Sequence, residues 1–340
     1  MAPTDRAVVV GIDRYPFLDP ADPNDPGKLK GPQNDAREFA RWLVDAGGGD
    51  VPDTRVTTIL SSDFPNDAHR PSTDDIDQAF SAIIREASER PDRKGGRRLY
   101  LFFAGHGFSN PADLEDTALL MANAARGMTG FHIPGRAYAN WFRTAALFDE
   151  IVLLMDCCRE LRQSAPQRVV PFEPRPSPPP SRIFIGYATD LSMAARERPS
   201  PEHAHEVRGR FSEAVVAGLR RAVDDQGRVT AHSLKKFVLN QMQAEANSTG
   251  ERQEPKIEDL DDIVFKEGLG LPYELDVTFP VGHAPTLLSG GDLTTILEPS
   301  ATTDTSRRWR LRPALYLLRS ATKQEVVPLL GTGGSVHVAL

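Results

Sequence analysis

Two short stretches of the chain carry the residue types that acyl-transfer chemistry uses. Residues 99–110 read LYLFFAGHGFSN, an uncharged run that ends on Gly105-His106-Gly107. Residues 151–160 read IVLLMDCCRE, a second apolar run, ending on Asp156-Cys157-Cys158. A cysteine attacks a carbonyl as its thiolate, and a thiol is mostly protonated at neutral pH, so it needs a base beside it. An imidazole can take that proton and later return it to a leaving amine. The tetrahedral intermediate also needs donors aimed at its oxyanion. Gly107 has no side chain to keep a substrate from its backbone N–H, and the N–H of Cys158 offers a second donor. Base, nucleophile and oxyanion donors thus require only that two strand ends lie side by side. Each feature alone has a plainer explanation. A histidine at a strand end can be a solvated or core-bonded ring, and adjacent cysteines can be small buried apolar residues.

The surrounding pattern supplies such strand ends. RAVVVGID, ending near Asp13, is uninterrupted enough for a strand covered on both faces. A Pro- and Asp-rich loop follows, then a helix with Ala36, Phe39, Ala40, Leu43 and Val44 at helical spacing, stopped by Gly47–Gly49. RVTTIL predicts a second strand, and STDDIDQAFSAIIREASER a helix with a Ser/Thr start and an acidic first turn. RLYLFFAG, IVLLMD and RIFIGYA predict three more strands. Alternating strands and helices imply a mostly parallel α/β sheet flanked by helices. Ligands of such sheets sit outside the strands' carboxyl ends, where His106 and Cys158 both fall.

Residues 161–181 contain seven prolines between Pro166 and Pro180 and predict an extended, exposed loop between two halves of one sheet. RGRFSEAVVAGLRRAV and TAHSLKKFVLNQMQAEA predict two amphipathic helices. DDQGRVT between them faintly suggests a calcium loop, but its first and twelfth positions would be Ala222 and Ser233, so it is read as a turn with a helix cap. From residue 272 the texture changes to short strand-like pieces split by Gly and Pro, such as YELDVTF, PTLLSG, TTILEP and EVVPLL. A small C-terminal β-rich module over 272–340 is expected after a main domain over 1–265.

Composition narrows the function class. The 340 residues are 40% hydrophobic and 26% charged, as in a globular protein with a sizeable core. A net charge of −7 with both signs well mixed argues against a nucleic-acid partner. Two adjacent cysteines cannot build a disulfide framework or a four-cysteine zinc site. The first residues carry no apolar signal core, and no apolar run approaches the roughly 20 residues of a membrane span. The expectation is a cytoplasmic protein with no membrane association, no metal and no cofactor.

With these residues in view, FFAGHG and LLMDCCRE resemble the caspase-type cysteine peptidases, and in particular their metacaspase and bacterial branch. That branch marks one strand end with S-G-H-G and another with D-S-C. His106 and Cys158 are 52 positions apart, close to the caspase spacing of about 50. Residues 11–39 resemble the family's first strand and its L-x-G-x-x-N-D-A helix start, at Leu29, Gly31, Asn34, Asp35 and Ala36. IGYATDLSMAARE and GRFSEAVVAGL resemble its small-subunit strand and following helix. The resemblance spans roughly residues 6–245. It divides the main domain into a large-subunit-like part (1–165), a Pro-rich loop (166–181) and a small-subunit-like part (182–265).

The resemblance implies a role for each matching residue. His106 is the general base and acid. Cys158 is the nucleophile, since it holds the third place of D-S-C. Gly107 and Cys158 supply the oxyanion donors. Asp156 and Asp35 match acidic residues of the primary specificity pocket, with Asp190 a looser third, so cleavage after Arg or Lys is implied. Asp35 could equally be capping its helix. Arg159 and Glu160 replace a small flexible turn of the family; the resemblance leaves calcium dependence open, as in some metacaspases, though nothing identifies calcium ligands. The reading is a cysteine endopeptidase acting on proteins with basic cleavage sites, as a regulated effector of bacterial defence or cell death. Arg162 and Arg168 are candidate self-cleavage points, and the β module offers a surface to a regulatory partner. The alternatives are an inactive scaffold of the same fold and another Cys-His acyl transferase.

Overall fold

The computed structural model describes residues 4–18, 29–110, 113–125, 127–161, 168–174, 176–177, 179–201, 205–224, 226–271, 273–289, 295–296, 305–312, 314–320, 323–329 and 333–340. Along the chain, the elements begin with β1 (Arg6–Gly11), α1 (Pro32–Val44), β2 (Val56–Leu60), α2 (Thr73–Glu89) and β3 (Gly96–Ala104). Next come β4 (Gly107–Asn110), β5 (Asp113–Leu120), β6 (His132–Pro134), α3 (Gly135–Ala145), β7 (Phe148–Asp156) and β8 (Arg182–Tyr187). Then follow β9 (Glu197–Pro199), β10 (Val207–Gly209), α4 (Arg210–Arg221), β11 (Val229–Thr230), α5 (Ala231–Thr249), β12 (Lys256–Glu258) and β13 (Val264–Lys266). The last strands are β14 (Tyr273–Thr278), β15 (Thr286–Ser289), β16 (Ser306–Leu311), β17 (Ala314–Arg319), β18 (Gln324–Leu329) and β19 (Gly334–Ala339).

The contacts divide the chain into two units, Met1–Arg221 with Ala231–Phe265, and Ala222–Thr230 with Lys266–Leu340. The first is built on a six-stranded sheet in the order β12-β8-β7-β3-β1-β2. The five strands read from the sequence are all present and run parallel to one another. The sixth, β12, was not read. It is three residues long and joins the β8 edge antiparallel, too short for its period to stand out.

Alternation sorts the side chains of the sheet onto two faces. Leu99, Leu101 and Phe103 of β3 join Ile151, Leu153 and Met155 of β7 in one core with Ile76, Phe80 and Ile83 of α2 and Tyr138 and Phe142 of α3. On the other face, Phe39 of α1 stacks on Phe102 at 4.7 Å. Gly186 of β8 leaves room there for Phe211 of α4, which an added Cβ would approach to 3.1 Å. α2 starts as its sequence suggests: Asp75 accepts the Ser72 N–H at 2.8 Å, closing the first turn. Beyond the carboxyl end of β3, the chain turns into a small antiparallel sheet, β4-β5-β6. That sheet and α3 were not read either. Their glycines, prolines and short strands hide the pattern.

The Pro-rich loop is tied down where it is described. Phe172 packs on Tyr138 and Trp141, with ring centroids 6.1 and 5.3 Å apart. The Ser177 N–H donates to the Thr144 carbonyl at 2.8 Å. The turn read at DDQGRVT is present, with Asp224 Oδ1 accepting the N–H of Gln226 and of Arg228, both at 2.9 Å.

The second unit holds two three-stranded sheets, β16-β14-β19 and β15-β17-β18. They enclose Leu275, Val277, Leu287, Trp309, Leu318 and Leu329. In β16, Arg alternates with Trp and Leu, with Trp309 and Leu311 buried and Arg308 and Arg310 exposed. Most of the TTILEP piece lies outside the described residues.

Candidate active site

β3 and β7 are adjacent and parallel, and Ala104 is the register partner of Asp156. The Gly105 N–H donates to the Asp156 carbonyl at 3.2 Å, carrying the pairing one step past the strand. His106 and Cys158 each lie two residues beyond that pair. Neighbouring strands are about 4.8 Å apart, so the register sets the two residues at the same level of one sheet edge.

The glycines beside His106 are spaces for other groups. A Cβ on Gly105, whose φ is +154°, would lie 2.2 Å from the Tyr15 hydroxyl. A Cβ on Gly107 would lie 2.6 Å from the Cys157 Sγ. Tyr15 is fully buried, and its ring meets the imidazole edge-on at 4.8 Å.

The two cysteines part company. Cys157 is 2% exposed and belongs to the core on the α2–α3 face. Burial, and then the neighbouring Cys158, push its thiol well above the ordinary range. A group so placed stays protonated. Cys158, next in the alternation, is half-buried and has its Sγ 3.9 Å from the Ala195 carbonyl.

Arg159 and Glu160, which follow Cys158, are both held by backbone hydrogen bonds. Arg159 is buried, its guanidinium 4.4 Å over the Tyr187 ring and bonded to the Leu114 carbonyl at 2.9 Å. Its backbone exchanges hydrogen bonds with the 192–193 turn: its N–H donates to Met193 and its carbonyl accepts from Ser192, both at 3.0 Å. The Glu160 carbonyl accepts the Ser109 N–H at 3.0 Å. Arg159 is thus built into the wall, while Glu160 is held by its backbone and is exposed.

Asp156 has the parity opposite to Cys157 and so points to the α1–α4 face. There its Oδ2 accepts the Ser212 N–H at 3.0 Å and the Ser212 hydroxyl at 2.6 Å, in the first turn of α4. Asp35, from the first turn of α1, reaches the same place. Its Oδ1 accepts from Arg208 Nε and its Oδ2 from the Gly209 N–H, each at 2.8 Å. Asp35 makes no cap of its own helix. Its carboxylate pins β10 instead. Gly209 lets both carboxylates close in, since a Cβ there would lie 2.2 Å from Asp156 Oδ2 and 2.9 Å from Asp35 Oδ2. Glu197, the register partner of Gly209, is the third acid of the group and accepts the Gly31 N–H at 2.8 Å.

Burial raises both aspartates. The Asp156 carboxyl is pushed up to about 6 by burial, with the Ser212 bonds acting downward and the charge of Glu197 upward. Asp35 is raised well above the usual carboxylate range by burial and then by Asp156, against the pull of Arg208. Asp190 is placed differently. Its side chain is exposed, takes the Leu191 N–H at 2.7 Å, and faces Arg159 at 3.9 Å.

Arg168 is ion-paired with Asp77 at 2.6 Å, and Tyr138 donates to the same carboxylate. Arg162 lies outside the described residues. Among the described residues, no group of three or more His, Cys, Asp or Glu is placed to hold a metal ion, and no helix is long and apolar enough to cross a membrane.

Sequence reasoning missed Tyr15, Glu197, Arg208, Gly209 and Ser212. Four of the five come from the hairpin and helix start over 197–212. A visible signal was there: the Arg-Gly pair directly before an apolar helix face.

The profile of the caspase domain, a peptidase family, matches residues 4–262. A probable protease from a Desulfuromonadales bacterium is 31% identical over 235 residues, covering 63% of this chain and 26% of that protein. The chain thus spans about a quarter of the length of the curated relative it matches. Among solved structures, caspase-1 from Spodoptera frugiperda gives a TM-score of 0.48 at 12% identity, over 78% of this chain and 91% of the other. A protein from Geobacter sulfurreducens gives 0.43 at 14% identity, over 75% and 93%.

Proposed function

Because the chain belongs to the caspase domain family of peptidases, we propose that it is a cysteine endopeptidase with Cys158 as nucleophile and His106 as general base and acid. The observation that carries this reading is the pairing of Ala104 with Asp156, with Cys157 turned into the core. The imidazole takes the Cys158 proton and the thiolate adds to the scissile carbonyl. Backbone N–H groups of Gly107 and Cys158 receive the oxyanion. The imidazolium then protonates the leaving amine, leaving a thioester on Cys158. Water, deprotonated by His106, hydrolyses the thioester and restores the thiol.

The same reading assigns a preference for Arg or Lys before the cut. It is supported by three carboxylates, Asp35, Asp156 and Glu197, gathered around Gly209 on the face that Cys158 shares by parity. Arg208 already answers Asp35, and the backbone N–H groups of Lys30 and Gly31 answer Glu197, which leaves Asp156 as the carboxylate that reads the substrate. Asp190, exposed and turned to Arg159, has no part in this assignment. The same specificity would let the enzyme cut its own Pro-rich loop after Arg162 or Arg168, and the family resemblance suggests an effector role in bacterial defence, with the β-rich residues 272–340 receiving a regulator. The experiment is a fluorogenic peptide ending in Arg, offered to wild type and Cys158→Ala. Hydrolysis by the first and none by the second is expected; equal hydrolysis by both, or none by either, goes against the assignment.

A further inference from the structure

The tyrosine behind the histidine has a geometry that simple packing does not require. The Tyr15 hydroxyl accepts the backbone N–H of His106 at 2.9 Å and donates to the Leu120 carbonyl at 3.3 Å. The Leu120 N–H in turn donates to the His106 carbonyl at 2.9 Å. Both backbone groups of His106 are therefore committed, and the three residues close a ring of hydrogen bonds. The Tyr15 ring supports the imidazole edge-on, at an interplanar angle of 61°. Gly105 is shaped to admit the hydroxyl, since any Cβ there would collide with it. The phenol is fully buried, and burial raises it well above its ordinary value, so it stays a neutral donor and acceptor over the working pH range.

A strand end needs such a clamp. The loop from Gly105 leaves the main sheet for β4, so a strand neighbour, Leu120 of β5, holds only the His106 carbonyl, and the N–H is held by Tyr15. A base displaced by about 1 Å loses much of its effect on the proton it must take. We propose that Tyr15 is a positioning residue for His106, holding the imidazole in line with Cys158 through its hydroxyl rather than through its bulk. The proposal rests on the assignment of His106 and Cys158 as base and nucleophile.

Tyr15→Phe separates hydroxyl from bulk, because the ring and its edge contact remain. The test reads Cys158 directly: the rate of alkylation by iodoacetamide from pH 5 to 9, located by tandem mass spectrometry, for wild type, Tyr15→Phe and His106→Ala. Melting temperatures confirm that each variant is folded. The expected result is a Tyr15→Phe rate at pH 6.5 that falls about fivefold or more towards that of His106→Ala, with the profile's lower limb displaced. In peptide hydrolysis, kcat should fall by about tenfold with KM unchanged. A Tyr15→Phe profile that overlays wild type while His106→Ala differs would overturn the clamp and leave the dyad standing. Identical profiles for wild type and His106→Ala would remove the dyad, and the clamp with it. Should Tyr15→Phe fail to fold, Tyr15→Trp and Tyr15→Met, which also lack the hydroxyl, give the same readout. Wild-type rates in a folded one of them would count against the proposal.

Discussion

The strand ends that carry His106 and Cys158 and the acidic group around Gly209 are built on opposite plans. The first is made by register. Two parallel strands pair up to Ala104 and Asp156, and equal steps beyond that pair end on His106 and Cys158. The second is assembled from four separate pieces: the first turn of α1, the end of β7, the β9–β10 hairpin and the first turn of α4. Register needs only local pattern to be specified. An assembled charge group depends on residues about 170 positions apart, and its ionisation is set by burial as much as by neighbours. Asp156 belongs to both plans, since it ends the strand and enters the acidic group.

The largest effects should come from breaking the register side. Cys158→Ala and His106→Ala should each lower kcat/KM by at least about a thousandfold, as removal of a nucleophile or its base generally does. Next comes the residue shared by the two plans. Asp156→Asn should lower kcat/KM for peptides ending in Arg by about 30-fold or more, taking roughly 2–5 kcal/mol for loss of a buried charge partner. Peptides with an uncharged residue there should be little affected. Wild-type kcat/KM on Arg peptides should rise as pH passes about 6, where Asp156 ionises, and Asp156→Asn should lack that limb. Stability should run the other way. The folded value lies above the unfolded value near 3.9, so between those two the unfolded chain loses the proton first. Stability then falls as pH rises through that window, a slope that Asp156→Asn should flatten in urea titrations.

On the assembled side, Arg208→Gln leaves Asp35 buried with only the Gly209 N–H as partner. A cost of about 3 kcal/mol is expected at pH 7.5, and less at pH 5, where Asp35 can take a proton instead. The smallest effect belongs to the inward cysteine. Cys157→Ala should cost about 1 kcal/mol in the core and leave hydrolysis within a few-fold of wild type. For self-processing, incubated wild type should yield fragments ending at Arg162 or Arg168, and Cys158→Ala should not. Asp77→Asn, which releases Arg168, should shift the cut towards that residue.

The contrast also explains what could be read without coordinates. The apolar runs of β1, β3, β7 and β8 are covered on both faces, so they stand out from their surroundings. His106 and Cys158 follow from where those runs stop. The alternation that separates Cys157 from Cys158 was equally available. The short pieces β4, β6, β9, β10 and β12 were not, because three or four residues show no period. Their partners carried the missing information. Asp35 could be named from its motif, but its engagement with Arg208 and Gly209 depends on where a distant hairpin folds back. Asp190, chosen from the same kind of local match, lies on a turn that faces solvent.

The most direct test of the central claim is to trap the nucleophile. A peptidyl chloromethyl ketone ending in Arg, incubated with wild type and with His106→Ala, forms a covalent adduct that mass spectrometry assigns to a residue. The account predicts an adduct on Cys158 in wild type, at least about a hundredfold slower to form in His106→Ala. An adduct on Cys157, or one on Cys158 whose rate ignores His106, would contradict it.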